Sequence, residues 1–118
     1  MTTPPPLTGI RVLAVEQYGA GPFCSMYLSD LGAEVIKIED PATGDSSRHT
    51  GPHFLGRGES LFYQTFNLGK KSLALDLRSA EGKEVFHRLV RTADVVLNNL
   101  RGDQPAKLGL TYGVLGSL

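Results

Sequence analysis

The sequence has 118 residues, which is the length of one domain and enough to form a hydrophobic core. Its twelve basic and twelve acidic side chains give no net charge, so the composition indicates neither a nucleic acid nor an anionic membrane as a partner. No apolar run approaches the length of a membrane span, and the N-terminus lacks the regions of a signal peptide, so we expect a cytoplasmic protein.

The first half of the chain predicts a strand, a glycine turn, a helix and a second strand. The apolar and β-branched run Ile10–Val15 predicts a buried strand. Two glycines follow, and Pro22 suits the first position of a helix that ends at Gly32. Ala33–Glu39 predicts the next strand, which completes a right-handed βαβ unit. The turn of such a unit favours an anionic or phosphorylated ligand.

The second half begins with a long loop and continues as alternating helices and strands. Residues 40–59 show no apolar periodicity, and an unstructured connection of this length is typical of a binding site or an interface. The remaining predicted elements are a short helix capped by Ser60, a strand over Leu73–Leu77, a helix from Ser79 to Ala93 and a strand over Asp94–Asn99.

This order of elements predicts the α/β fold class, with a mostly parallel sheet flanked by helices. Two substantial helices are few for the two faces of a four-stranded sheet, so we expect an incomplete fold. Residues 1–8 predict a flexible, proline-rich tail, and residues 9–118 the folded part.

Two patterns around the glycine turn suggest other chemistry. The pair Gly19-x-Gly21, followed by Glu39, matches part of the dinucleotide-binding fingerprint, but Cys24 occupies the position of the third glycine. Cys24 is also the only cysteine, near a helix N-terminus that would favour a thiolate. It falls on an apolar stripe with Tyr27, Leu28 and Leu31, so the helical spacing predicts a core residue rather than a nucleophile.

The histidines of the long loop do not predict a metal site. His49 and His53 have the spacing of metal ligands, but Gly51 and Pro52 between them prevent a helical presentation. Two histidines also make an incomplete ligand set. We therefore expect no metal.

Basic residues follow the ends of the third and fourth strands. Arg78 comes after the third and Arg101 after the fourth, with Lys107 a little further on. Because the carboxyl ends of parallel strands meet at one edge of a sheet, both arginines can point into one crevice. Cations in that position indicate a phosphate-bearing ligand.

Several stretches resemble the start of the family III CoA-transferases, the group that contains formyl-CoA transferase, carnitine CoA-transferases and the α-methylacyl-CoA racemases. They run in order through nearly the whole chain. The matching stretches are Pro6–Leu13, Ala20–Pro22, Leu28–Glu39, Gly44–Asp45 with Arg48, Asn67–Leu77, Asp94–Asn99 and Lys107–Leu110. By this resemblance the chain is identified as an N-terminal portion of such a protein.

The resemblance implies a Rossmann-like domain that binds CoA, in a protein whose two subunits interlock as a homodimer. The substrates it implies are an acyl-CoA and a carboxylic acid acceptor, with no permanently bound cofactor and no nucleic acid or membrane partner. In the transferases an aspartate attacks the thioester, and CoA is then carried as an enzyme thioester. That aspartate is expected beyond Leu118, so we assign no catalytic residue here.

The same resemblance implies which residues contact CoA. Those near the thioester would be Tyr18, Gly19 and Ala20, those near the adenine Leu75 and Leu100, and those near the ribose or phosphates Arg78, Asn99, Arg101 and Lys107.

Two positions depart from the family pattern. Gly19 stands where formyl-CoA transferase-like members carry an amide, which argues against an oxalate or formyl substrate, and Asp40 stands where some members carry a basic residue. Two alternatives to a transferase stay open at this point. They are an α-methylacyl-CoA racemase-like segment and a non-catalytic fragment that binds CoA or a nucleotide.

Overall fold

The computed structural model describes residues 2–118. The strands are β1 Arg11–Val15, β2 Glu34–Glu39, β3 Lys71–Ala74 and β4 Val95–Asn98. The helices are α1 Ala20–Asp30, α2 Leu61–Phe66, α3 Ala80–Val90, α4 Gln104–Lys107 and α5 Tyr112–Leu115, with a 3₁₀ turn at Ser46–His49. All neighbouring strands pair in parallel, in the order β3-β2-β1-β4, so the predicted α/β class is confirmed.

The central strand β1 is apolar because both of its faces are covered. Leu13 pairs with Ile36 on one side and with Val96 on the other. Its side chain packs with Phe86 of α3 in the larger core, and the side chains of Val12 and Ala14 form a second core on the opposite face. This burial on both sides explains the continuous apolar run.

Several element boundaries differ by one to three residues from the sequence-based expectation. The third strand ends at Ala74 instead of Leu77, because its partner β2 ends at Glu39, whose carbonyl accepts a last hydrogen bond from Leu75 N–H at 2.9 Å. Helix α3 ends at Val90, before the predicted Ala93. Helix α1 begins at Ala20, two residues before Pro22.

Of the apolar stripe predicted for α1, Leu28 packs against the core, but the rest of the stripe is wrong, including the core position predicted for Cys24. Cys24, Tyr27 and Leu31 are exposed, while the buried residues of α1 are Gly21, Pro22 and Ser25. A Cβ on Gly21 would lie 2.8 Å from Asn99 Cγ and 2.9 Å from Glu16 Cβ. The helix therefore approaches the sheet through its small residues and Leu28, while Phe23 and Tyr27 are exposed.

An exposed surface, the aromatic face, joins α1 and α2. Neighbouring rings along it lie 4.9 to 5.9 Å apart between centroids. Its members, in spatial order, are Tyr18, Phe62, Phe66, Phe23 and Tyr27.

The described part of the N-terminal segment lies against the end of α1. Leu7 N–H donates to Leu31 O at 2.9 Å, and Thr8 N–H donates to Pro5 O. The flexibility of residues 1–8 stays a prediction. Within residues 2–118, no helix has both the length and the apolar character that crossing a membrane requires.

Candidate functional site

A groove of about 1000 Å³ lies at the carboxyl ends of the strands, where ligands of parallel α/β sheets bind. Its volume suits a ligand larger than a single nucleoside. The lining residues come from the segments that follow all four strands. They include eight of the nine predicted CoA contacts, namely Tyr18, Gly19, Ala20, Leu75, Arg78, Asn99, Leu100 and Arg101.

The ninth predicted contact, Lys107, does not line the groove as the described residues form it. It lies on α4, and its Nζ is 2.8 Å from Asp103 Oδ2 on the exposed surface. The predicted convergence of Arg78 and Arg101 on one crevice is observed, whereas Lys107 lies apart from them.

The wall of the groove after β1 is a turn formed by Gln17, Tyr18 and Gly19. Asn99, which follows β4, accepts from Gln17 N–H at 3.0 Å and donates from Nδ2 to Gln17 O at 2.9 Å. Asp45 Oδ1 accepts from Tyr18 N–H at 2.9 Å. Side chains from two other segments therefore hold this turn by its backbone.

A buried ion pair lies behind the turn. Lys37 projects from the middle of β2, and its Nζ lies 2.5 Å from Asp45 Oδ2 and 2.9 Å from Asn67 Oδ1. Both charged side chains are almost fully excluded from solvent. Burial raises the pKa of Asp45, but hydrogen bonds from Lys37 and Ser47 outweigh it and hold the pKa below its usual value.

A second buried pair lies under the first turn of α1. Glu16 Oε1 accepts from Ser25 Oγ at 2.6 Å and from Lys70 Nζ at 2.9 Å. Its other oxygen, Oε2, has no hydrogen-bond partner among the described residues. Burial lowers the pKa of Lys70 in spite of the opposing effect of Glu16.

A third polar cluster surrounds Glu39 at the end of β2. Arg48 binds its carboxylate with two hydrogen bonds, and Tyr63 and Ser72 donate to the same group. Burial alone would raise the pKa of Glu39, but the bonds from Arg48, Asp45 N–H and Ser72 lower it to about 2. The cluster therefore contains a stable carboxylate, engaged on both oxygens.

The two arginines of the groove differ in their partners. Arg78 NH2 lies 2.6 Å from Asp40 Oδ2, and Arg78 Nε lies 3.1 Å from Asp76 Oδ1. Arg101 is exposed, and its guanidinium has neither an ion-pair nor a hydrogen-bond partner among residues 2–118. Of the two, Arg101 is the cation whose charge remains free for a phosphate.

The sequence did indicate the residues that line the groove, but it did not indicate the buried charges that support it. A signal for them exists in β2, where Lys37 and Glu39 interrupt an otherwise apolar strand on the same face as Val35. A charged side chain in a strand covered on both faces requires a buried partner. Neither the identity of that partner nor its place in the long loop follows from this signal.

Metal ligation is not supported within the described chain. Among residues 2–118 no three side chains of His, Cys, Asp or Glu converge in a way that would hold an ion. The groove combines apolar surface from Leu75 and Leu100 with the exposed guanidinium of Arg101.

Comparison with known proteins identifies the family of this chain. The model of CoA-transferase family III matches residues 7–117. Succinate–glutarate CoA-transferase of Agrobacterium fabrum is 47% identical over 113 residues, which cover 92% of this chain and 28% of that protein. Succinyl-CoA:glutarate CoA-transferase of Homo sapiens is 40% identical over 107 residues, which cover 91% of this chain and 24% of that protein.

A solved structure agrees with these relatives. A CAIB/BAIF family protein from Brucella suis superposes with a TM-score of 0.87 at 40% sequence identity, covering 95% of this chain and 30% of that one. The chain thus spans less than a third of the length of each relative. The family model covers nearly all of its residues, and the chain therefore belongs to the family III CoA-transferases.

Proposed function

We propose that this chain provides the CoA-binding part of an enzyme that moves CoA between an acyl-CoA and a carboxylic acid. The observation that carries the proposal is the groove at the carboxyl ends of β1 to β4, with Arg101 as a cation without a partner on its rim among the described residues. The two relatives compared by sequence are both named as CoA-transferases, which supports a transferase in preference to a racemase.

The chemistry of the lining supports one orientation of CoA. The apolar side chains of Leu75 and Leu100 are suited to the adenine, and Arg101 to a phosphate. The turn at Tyr18 and Gly19 would then lie along the pantetheine arm and the thioester, near the N-terminus of α1. Helix N–H groups there favour a developing negative charge.

Three further expected contacts already have partners within the chain. Arg78 is paired with Asp40 and Asp76, and Lys107 is paired with Asp103. Asn99 uses its carbonyl and one N–H on the backbone of Gln17. A contact from any of them to CoA would exchange or share an existing bond, so we expect each to contribute less than Arg101.

The covalent chemistry belongs, in this proposal, to an aspartate of the whole protein outside these residues. Five acids line the groove. Asp45 and Glu39 are buried and bonded on both oxygens, Glu16 is buried and paired with Lys70, and Asp40 and Asp76 are paired with Arg78, so we assign the nucleophile to none of them. With an acyl-CoA and hydroxylamine we expect no protein-bound acyl hydroxamate from this chain. Its formation would overturn this assignment.

We extend the proposal to the whole protein as a cytoplasmic homodimer that requires no permanent cofactor. The family resemblance supports this arrangement. The aromatic face offers apolar surface of the kind that subunit interfaces bury.

Calorimetric titration of CoA tests the binding proposal. We expect Arg101→Ala to weaken CoA by roughly 10-fold or more, because a charge-assisted hydrogen bond contributes about 1.5 to 3 kcal/mol. Arg88→Ala removes an arginine of α3 that does not line the groove, and we expect it to bind CoA like the unchanged chain. Absence of CoA binding, or equal affinities of the two variants, would refute the proposal.

A further inference from the structure

Tyr18 has a backbone conformation that tyrosine avoids. Its φ is +71°, and among residues 2–118 it is the one non-glycine residue with a positive φ. For an L-residue this left-handed region costs on the order of 1 to 2 kcal/mol. Such a conformation persists only where the surroundings hold it, and Tyr18 stands on the wall of the groove.

The backbone N–H of Tyr18 is bound by the side chain of Asp45. Asp45 Oδ1 accepts from Tyr18 N–H at 2.9 Å and also from Ser47 N–H and Oγ, at 2.8 and 2.7 Å. Asp45 Oδ2 is bound by Lys37 Nζ at 2.5 Å. The carboxylate is thus fixed in direction by a buried cation on one oxygen, and it offers the other oxygen to the turn.

The neighbours of Tyr18 are constrained as well. Gln17 is bonded on both backbone groups by Asn99, and the Tyr18 ring lies 5.1 Å from the Phe62 ring between centroids. With β1 and α1 in place, Tyr18 reaches an ordinary φ by a flip of the Gln17–Tyr18 peptide plane, which turns Tyr18 N–H and Gln17 O away from their partners. Asp45 opposes this flip at Tyr18 N–H, and Asn99 opposes it at Gln17 O.

We propose that Asp45, locked by Lys37, is a positioning residue that keeps Tyr18 in the left-handed conformation and so sets the Tyr18–Gly19 wall against the ligand. The inference rests on the proposed function for the nature of that ligand. Leu75, Leu100 and Arg101 belong to other segments of the groove, so the position of the adenine and phosphates does not depend on Asp45. Loss of Asp45 should therefore weaken only the contacts with the pantetheine and thioester end of CoA.

Two matched double variants separate positioning from charge. Lys37→Met with Asp45→Asn removes both buried charges and leaves an amide oxygen that accepts from Tyr18 N–H. Lys37→Met with Asp45→Ala removes the same charges and that acceptor too. Neither leaves an unpaired buried lysine, which by itself would destabilise the fold.

The readouts are hydrogen exchange at Tyr18 N–H, measured by NMR, and calorimetric binding of CoA and of adenosine 3′,5′-bisphosphate. In the Ala variant we expect exchange at Tyr18 to accelerate by at least about 10-fold and CoA to weaken by about 10-fold, as for one lost hydrogen bond. Adenosine 3′,5′-bisphosphate should bind it unchanged. The Asn variant should resemble the unchanged chain in all three measurements.

Several outcomes would overturn the inference. Equal exchange at Tyr18 in the two double variants would show that Asp45 does not hold the turn. An equal loss of CoA and of the bisphosphate would show a general structural role. If the unchanged chain binds neither ligand, the proposed function fails, while exchange at Tyr18 still decides whether Asp45 holds the turn.

A remaining outcome is that the Ala variant does not fold. The substitution Tyr18→Gly is then added to Lys37→Met and Asp45→Ala. Glycine adopts a positive φ without a steric penalty, so this turn would not need the hydrogen bond to Asp45 to keep its conformation. We expect that chain to fold. Its failure to fold would assign Asp45 to the stability of the core and would refute the positioning role.

Discussion

Arg48 and Glu39 form an ion pair through two parallel hydrogen bonds, with Nε 2.8 Å from Oε2 and NH2 2.8 Å from Oε1. Arg48 belongs to the 3₁₀ turn in the long loop, and Glu39 is the last residue of β2. Tyr63 of α2 and Ser72 of β3 donate to the same carboxylate. The buried carboxylate of Glu39 therefore connects the long loop to the sheet beside the groove.

Removal of Arg48 should be costly for stability. Arg48→Met leaves a carboxylate whose side chain is only 4% exposed without its cation. Breaking one partner of a buried pair typically costs 3 to 5 kcal/mol, and because Arg48 is partly exposed we expect about 2 to 3 kcal/mol. Urea unfolding followed by circular dichroism measures this loss.

Arg88→Met, which replaces an arginine of α3 outside this cluster, serves as the control and should change stability by less than about 0.5 kcal/mol. Equal losses in the two variants would contradict the role of the pair.

The same pair predicts how stability depends on pH. The pKa of Glu39 is about 2 in the folded chain, against an ordinary value of 4.5. A lowered pKa means that the unfolded chain binds the proton more readily, so this contribution is complete above pH 4.5 and is lost as the pH falls toward 2. Asp45, whose pKa is also lowered, contributes with the same sign. We expect the free energy of unfolding to decrease steeply across this range.

Glu39→Gln isolates the contribution of Glu39 to that dependence. The variant cannot titrate at this position, so its free energy of unfolding should fall less steeply between pH 4.5 and 2 than that of the unchanged chain. Urea titrations at several pH values give both slopes. Parallel curves for the two proteins would show that Glu39 has no lowered pKa.

Substitution of Gly19 should weaken the binding of CoA without destabilising the fold. Its φ of −124° lies outside the left-handed region, and an added Cβ would meet no atom within 4 Å, so packing does not require glycine there. It lines the groove, where a methyl group would occupy space that the ligand needs. We expect Gly19→Ala to weaken CoA by about 10-fold, equivalent to about 1.4 kcal/mol, with little change in melting temperature.

Gly113→Ala is the matched control for this substitution. An added Cβ on Gly113 would also meet no atom within 4 Å, and its φ is ordinary, but it lies in α5, outside the groove lining. It should leave CoA affinity unchanged. If Gly19→Ala binds CoA as tightly as Gly113→Ala does, the ligand does not pass over Gly19.

Much of the fold could be predicted because periodicity reports burial. The run around Leu13 is apolar since both faces of β1 are covered, and Ser60 and Ser79 do cap their helices, through hydrogen bonds to backbone N–H groups. Apart from Leu28, the stripe of α1 failed because the helix packs through Gly21 and Ser25, so apolar spacing does not mark the buried side. A local pattern cannot reveal how closely a helix approaches its sheet.

Of the candidate site, the sequence predicted the residues that line the groove but not the buried ion pairs behind them. Strand ends place Arg78 and Arg101 at one edge whatever the details of packing, which is why their convergence followed from the order of elements. The supporting pair of Lys37 and Asp45 joins a strand to a loop without periodicity. Such a contact depends on the path of that loop, which no local pattern of residues describes.

The most direct test is a titration of the chain with CoA followed by backbone amide shifts in NMR spectra. If the groove binds CoA, saturable shifts will cluster at residues 17–20, 75–78 and 99–101, which line it, and α5 will remain unaffected. The same titration with Arg101→Ala should need a higher CoA concentration for saturation. Shifts that do not saturate, or that cluster at Phe23, Tyr27 and Phe66 of the aromatic face instead of the groove, would contradict a CoA site at the carboxyl ends of the strands.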